Sequence, residues 1–95
     1  MTTKQRAYLR GLANGMETIL YVGKGGLSDN IIKQADDALE ARELIKGAVQ
    51  ESCPLTAQEA LHAICEKTSA QAVQSIGRSF VLYRASEEKL IQFQR

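Results

Sequence analysis

The chain is poor in the residues that build several common kinds of site: it has no tryptophan, one proline, one histidine and two cysteines. Cys53 and Cys65 form no C-x-x-C pair, so we expect free thiols in a reducing compartment rather than a disulfide. His62 could join them as a third metal ligand, but no fourth ligand is evident, and the sequence therefore predicts no metal site. Because His62 also lacks a serine or cysteine partner, we expect no catalytic residue, no cofactor and no enzymatic activity.

Long apolar runs and a strong net charge are missing as well. No stretch approaches the ~20 apolar residues that span a bilayer, and the N-terminus lacks the hydrophobic region of a signal peptide. We therefore expect a cytoplasmic protein without a membrane partner. The formal net charge is only +1, but five basic residues outweigh two acids through Lys33, and seven acids outweigh two basic residues from Asp36 to Glu66. This asymmetry predicts one basic face.

What the chain does contain is a glycine-rich loop, Gly23-Lys24-Gly25-Gly26, between a strand-like run at 18–22 and a helix that begins near Ser28. The glycines let the backbone approach a ligand closely, and the helix behind them offers unpaired N–H groups and a positive dipole end. The spacing fits neither a Walker loop nor the dinucleotide fingerprint. G-x-x-G loops clamp the RNA backbone in some RNA-binding modules, but a turn that needs glycine only for its geometry stays open.

The first predicted helix is capped by Thr3 and runs to about Ala13. Its predicted apolar stripe consists of Tyr8, Leu9 and Leu12. Arg6 and Arg10 lie one turn apart on another face and have no local acid to neutralise them. The pair serves either solubility or contact with a phosphate.

The second helix is predicted to run from Ser28 to Arg42, with Leu27 and Ile32 packed across its start. A strand at 44–49 follows, and the strand–helix–strand order predicts a right-handed parallel crossover. The outer face of this helix should repel nucleic acid because it is acidic. Its acids are Asp36, Asp37 and Glu40.

The last third of the chain begins with a capping box, Thr56 to Glu59, that starts a third helix ending near residue 68. Strands at 72–76 and 79–84 are joined by a tight Gly77-Arg78 hairpin with Arg78 at its tip. Residues 85–95 are expected to be loosely held, and the whole of 1–95 to form one domain. The strand-borne aromatic side chains are predicted to be in the core, although one could stack on a base. They are Tyr21, Phe80, Tyr83 and Phe93.

Together these segments resemble the YhbY/YqeI family, the stand-alone bacterial form of the CRM (chloroplast RNA splicing and ribosome maturation) domain, at equivalent spacing over about residues 2–86. The matching segments are Lys4-Gln5-Arg6, Leu9-Arg10, Gly23-Lys24-Gly25-Gly26, the run from Ala38 to Lys46 and the run from Ile76 to Arg84. The chain departs from the family pattern at Gly47, where relatives usually have a β-branched residue, which predicts a weaker strand and poorer sheet packing there.

The resemblance implies an α/β two-layer sandwich ordered α-β-α-β-α-β-β, with a four-stranded mixed sheet similar to the C-terminal domain of translation initiation factor three. It implies an RNA-binding protein, expected to be a monomer, whose partner is large-subunit ribosomal RNA or a pre-ribosomal particle. The implied RNA-binding residues are Gly23, Lys24, Gly25, Gly26, Lys4, Arg6, Arg10, Lys46 and Arg78. Two alternatives remain: a binder of a small phosphorylated ligand at the loop, and a ribosome-associated protein-interaction adaptor.

Overall fold

The computed structural model describes residues 1–92 of the chain, and their helices and strands follow in the predicted order. They are α1 (Thr3–Ala13), β1 (Leu20–Val22), α2 (Asp29–Arg42), β2 (Leu44–Val49), α3 (Ala57–Thr68), β3 (Gln71–Ile76) and β4 (Ser79–Tyr83). The sheet order is β1-β2-β4-β3, with β1 parallel to β2 and the other pairs antiparallel. The predicted α/β class, element order and mixed four-stranded sheet are therefore confirmed.

The main core lies between one face of the sheet and helices α2 and α3. Ile45 of β2 and Phe80 and Leu82 of β4 are fully buried there against Leu39 of α2 and Ile64 of α3. Burying a side chain of this size contributes roughly 1.5–3 kcal/mol, so this cluster is the largest source of stability in the fold. Sheet, α2 and α3 form the two layers that the resemblance implies.

Helix α1 packs on the opposite face of the sheet, which the sequence did not indicate. Leu9 and Ala13, one turn apart, are buried against a second cluster on β2, β3 and β4. The sequence assigned Tyr8 and Leu12 to the same stripe, but they are 38% and 40% exposed. That assignment is wrong because α1 meets the sheet along one narrow i, i+4 row. The second cluster consists of Leu9, Ala13, Leu44, Val73, Val81 and Tyr83.

The N-cap of α1 is Thr2 rather than the predicted Thr3. The Thr2 hydroxyl accepts a hydrogen bond from the Gln5 N–H at 3.0 Å, and the Gln5 side chain accepts one from the Thr2 N–H at 2.9 Å. Only this register places a glutamine at the third helical position, where it completes a capping box; Thr3 would place Arg6 there. The predicted capping box of Thr56 and Glu59 is confirmed.

Gly47 does not leave a gap in the sheet. A Cβ at this position would lie 2.5 Å from the Phe80 ring and 3.2 Å from the Leu20 carbonyl oxygen. The Phe80 ring, which is fully buried, therefore occupies the space that a side chain at residue 47 would need. The expected packing defect is absent because a larger neighbour on β4 fills the site.

The C-terminal segment is tied to the fold by Glu43, a buried residue at the end of α2. The Glu43 carboxylate accepts hydrogen bonds from the Ser86 N–H at 2.7 Å, the Ser86 hydroxyl at 2.5 Å and the Ile91 N–H at 2.7 Å. Burial alone would raise the pKa of Glu43, but the hydrogen bonds outweigh it and lower the pKa from 4.5 to about 2. These hydrogen bonds join residues 86–91 of the predicted loose tail to the end of α2, and residues 93–95, with Phe93, lie outside the described part of the chain.

Candidate nucleic-acid interface

The Gly23–Gly26 loop begins where β1 ends. The Gln50 N–H donates to the Val22 carbonyl at 2.8 Å, and the Gly26 N–H donates to the Gly23 carbonyl at 2.9 Å, which closes a tight turn. Gly26 is buried and has φ +66°, a conformation that other residues rarely adopt. Gly26 is therefore required by the turn itself.

Gly25 differs from Gly26. It is exposed, its φ is not positive, and beyond its two chain neighbours no atom of the described residues lies within 4 Å of the place a Cβ would occupy. The fold would accept a side chain there. The neighbouring Lys24 is exposed too, and the backbone N–H groups of residues 24 and 25 donate to no acceptor within residues 1–92. The tip of the loop thus combines free donors, a cation and open space, which suits an anionic ligand.

Behind the loop, Ser28 is the N-cap of α2, as predicted. Its hydroxyl accepts a hydrogen bond from the Ile31 N–H at 3.2 Å. Leu27 and Ile32 are half-buried and pack against the main core on either side of this cap. The start of α2 is therefore fixed relative to the sheet, and the loop is held at both ends.

Arg78 lies at the same end of the sheet as the loop. The Val49 N–H donates to the Arg78 carbonyl at 2.8 Å. The next residue, Gln50, packs against the loop, because its side-chain oxygen lies 2.6 Å from the position that a Cβ on Gly23 would occupy. Arg78 is exposed at the hairpin tip, as predicted. Two strand spacings, about 10 Å, separate the backbone of the loop from that of the tip.

Lys46 lies on the α1 side of the sheet, because Ile45 and Val49 point to the main core and side chains alternate along a strand. It is half-buried. Lys46 lines a shallow depression between the C-terminal end of α1 and the sheet. The other residues of the depression are Asn14, Gln74, Ile76, Ser79 and Val81.

Arg6 and Arg10 are exposed on the flank of α1 that borders this depression. Arg6 lines a groove with Gln74 and Ser75 of β3, while Asn14, two turns further along the same flank, lies beside Lys46. Arg10 is between them in the i, i+4, i+8 row. The helical spacing places exposed Lys4 on the side of α1 that faces away from the sheet, so Lys4 is not brought together with the others.

Two exposed apolar side chains on this face were not recognised from the sequence. Tyr21, predicted to be in the core, is 54% exposed, and Ile76 is 66% exposed. Tyr21 points to the α1 side, since the flanking Leu20 and Val22 belong to the main core, and Ile76 lines the depression between α1 and the sheet. The run Ile19-Leu20-Tyr21-Val22 is apolar throughout, so the sequence held no alternation that could have shown the orientation of Tyr21. Phe80 and Tyr83 are buried, as predicted.

The acidic outer face of α2 is less repulsive than the sequence suggested. Arg84 donates to the Asp36 carboxylate at 2.6 Å and to Glu40 at 3.3 Å, and Lys33 pairs with Asp37 at 3.2 Å. Arg84 also donates to the Thr68 carbonyl at 2.8 Å. This arginine therefore joins α2, α3 and the end of β4 rather than binding a ligand.

The two cysteines are free thiols and do not form a shared site. Cys65 packs against the main core, and burial raises its pKa to about 11, while the Cys53 sulfur accepts a hydrogen bond from the Leu55 N–H at 3.4 Å. Within residues 1–92 there is no group of three or more His, Cys, Asp or Glu residues suited to a metal ion. No helix of this part of the chain is long and apolar enough to cross a membrane.

Comparison with known proteins places this chain in a family. The chain matches the CRS1/YhbY (CRM) domain over residues 1–84, and it belongs to that family. It is 44% identical over 88 residues to the probable RNA-binding protein YqeI of Bacillus subtilis, covering 93% of this chain and 92% of YqeI. It is 39% identical over 95 residues to an RNA-binding protein of Haemophilus influenzae, covering 100% and 96% of the two chains.

A solved structure shows the same fold. The solution structure of SAV1595 from Staphylococcus aureus, described as a hypothetical RNA-binding protein, superimposes with a TM-score of 0.81 at 43% identity. The superposition covers 99% of each chain. The described residues of this chain therefore have the fold of that protein.

Proposed function

We propose that this protein is a non-enzymatic, monomeric RNA-binding protein that binds ribosomal RNA during maturation of the large ribosomal subunit. The observation that carries the proposal is the tip of the Gly23–Gly26 loop. Gly25 is a glycine for which the turn has no need, yet it lies beside Lys24 and two free backbone donors. A glycine that the fold does not require is explained by a ligand that approaches the backbone closely.

The surrounding cations extend this tip into a surface large enough for several phosphates. Arg78 is on the adjacent hairpin at the same end of the sheet, while Lys46, Arg6 and Arg10 follow the α1 side of the sheet. Phosphate contacts of this kind provide affinity without reading sequence. The names of the relatives support RNA as the ligand, and the family resemblance supports ribosome maturation.

The direct test is sedimentation of a cell extract on a density gradient, with the protein followed across the fractions. We expect it in the fractions of large-subunit precursors, and we expect nuclease treatment to release it. A protein that stays on the particles after nuclease treatment would be an adaptor, and one that stays at the top of the gradient but binds a nucleotide would be a small-ligand protein.

A further inference from the structure

Four residues on the α1 side of the sheet form one row across all the strands. The register pairs Tyr21 with Ala48, Ala48 with Ser79, and Ser79 with Ile76. We call these four residues the Tyr21 row. Its two ends, Tyr21 and Ile76, are the exposed apolar side chains noted above, and Ala48 and Ser79 between them are half-buried.

The Tyr21 row is uncharged and has cations around it. Lys46 is in the next row of the sheet, paired with Val81, and it lines the same depression as Ile76 and Ser79. The loop that carries Lys24 begins two residues after Tyr21, and Arg78 directly precedes Ser79. An apolar strip with a basic rim is complementary to a ligand that has flat apolar faces and a chain of negative charges.

The acids of the chain are mostly directed elsewhere. Asp36, Asp37 and Glu40 form ion pairs on α2, and Glu43 is buried against the C-terminal segment. Glu51, next to Gln50, is the carboxylate that follows β2 at the end of the sheet where the loop lies. The cations of the rim therefore keep a net positive charge.

We propose that the Tyr21 row is a platform for unpaired nucleotides of RNA, a proposal that rests on the function proposed above. The row spans three strand spacings, about 14 Å, which is enough for two or three bases. Tyr21 stacks on one base, Ile76 contacts another, and Lys24, Lys46 and Arg78 bind the phosphates. A duplex cannot use this platform because its bases are already stacked and paired.

The test compares two RNA probes with equal numbers of phosphates, an unstructured oligonucleotide and a blunt duplex, by fluorescence anisotropy. Tyr21→Ala should weaken binding of the single strand about 5- to 150-fold, the range for loss of one stacked base, and leave the duplex unaffected. Tyr21→Phe should retain the affinity because it keeps the ring. Tyr8→Ala is the control, since Tyr8 is an exposed tyrosine on the other flank of α1, away from the Tyr21 row.

Ile76→Ala is a second variant, needed because Tyr21→Ala could disturb the short strand β1. It should also weaken binding of the single strand. The proposal is overturned if both variants bind the single strand like the parent, or if they lose affinity for single strand and duplex equally. It is also overturned if the two variants keep the RNA affinity of the parent and lose only the binding of a protein partner. If the parent protein binds neither probe nor ribosomal RNA, the proposed function itself fails.

Discussion

The hydrogen bonds of Glu43 predict a specific dependence of stability on pH. The pKa of Glu43 is lowered from 4.5 to about 2 in the folded protein. Because the folded state favours the charged form of Glu43, the carboxylate stabilises the fold. Its contribution to the free energy of unfolding is complete above pH ~4.5 and is lost as the pH falls toward ~2. A pKa shift of this size corresponds to at most roughly 3 kcal/mol in the free energy of unfolding. Because water near the short C-terminal segment screens the charge, we expect a contribution of about 2 kcal/mol.

The perturbation is Glu43→Gln, which keeps the shape of the side chain and removes its charge. An amide keeps one acceptor oxygen and replaces the other by NH2, so either the Ser86 N–H or the Ile91 N–H faces a donor and loses its acceptor, at a cost of roughly 1–3 kcal/mol. The assay is urea unfolding followed by circular dichroism at a series of pH values. The stability difference between parent and variant should be largest near neutral pH and should shrink as the pH falls through the range from ~4.5 to ~2.

The control is Glu88→Gln, which removes an exposed carboxylate from the same segment and should leave the unfolding curves unchanged. The reasoning is refuted if the difference between parent and Glu43→Gln does not vary with pH. It is refuted as well if Glu88→Gln reproduces that variation, because the effect would then come from the net charge of the segment.

Three further predictions concern packing and charge. Gly47→Val should destabilise the fold by about 1–3 kcal/mol because it forces the Phe80 ring to move, and Phe80→Leu in the same chain should recover part of this loss in urea unfolding. Arg84→Lys should lower stability by about 1–2 kcal/mol, since an ammonium cannot replace the forked donors of the guanidinium. RNA affinity should stay unchanged, and a loss of affinity would place Arg84 in the interface. Arg6→Ala with Arg10→Ala should weaken binding of many RNAs alike and make the slope of log affinity against log salt shallower by about 0.7–0.9 for each phosphate that the variant no longer binds. An unchanged slope would show that this helix does not bind phosphate.

The features that the sequence predicted well are those set by neighbouring residues. The capping box of Thr56 and Glu59 joins positions three apart, and the Gly77-Arg78 turn joins two strands directly. Family resemblance supplied the element order, which local patterns alone had only partly assembled. A capping box or a hairpin turn forms between neighbouring residues and does not depend on which face of the sheet a helix covers.

The features that the sequence missed depend on packing between distant segments. Glu43 meets Ser86 and Ile91 only in the folded chain, and no local sequence pattern joins residues that lie more than 40 positions apart. The exposure of Tyr21 followed from the placement of α1, which leaves one end of the sheet uncovered. Phe80 made Gly47 a requirement of packing where the sequence suggested a defect. Each of these outcomes was decided by packing across the sheet rather than by propensity.

The most direct test of the proposed RNA site is the affinity of Gly25→Asp for ribosomal RNA fragments. The fold accepts this change, since beyond the two chain neighbours no atom of the described residues lies within 4 Å of the added Cβ, so circular dichroism should match the parent. The side chain blocks approach to the loop and sets a negative charge against the phosphate. Affinity should therefore fall well below that of Lys24→Ala, which should cost about 1 kcal/mol or less.

Gly25→Ala separates the two effects, because it adds bulk without charge and should give a smaller loss than Gly25→Asp. A folded Gly25→Asp variant that binds RNA as tightly as the parent would contradict the assignment, and the loop would then be only a turn.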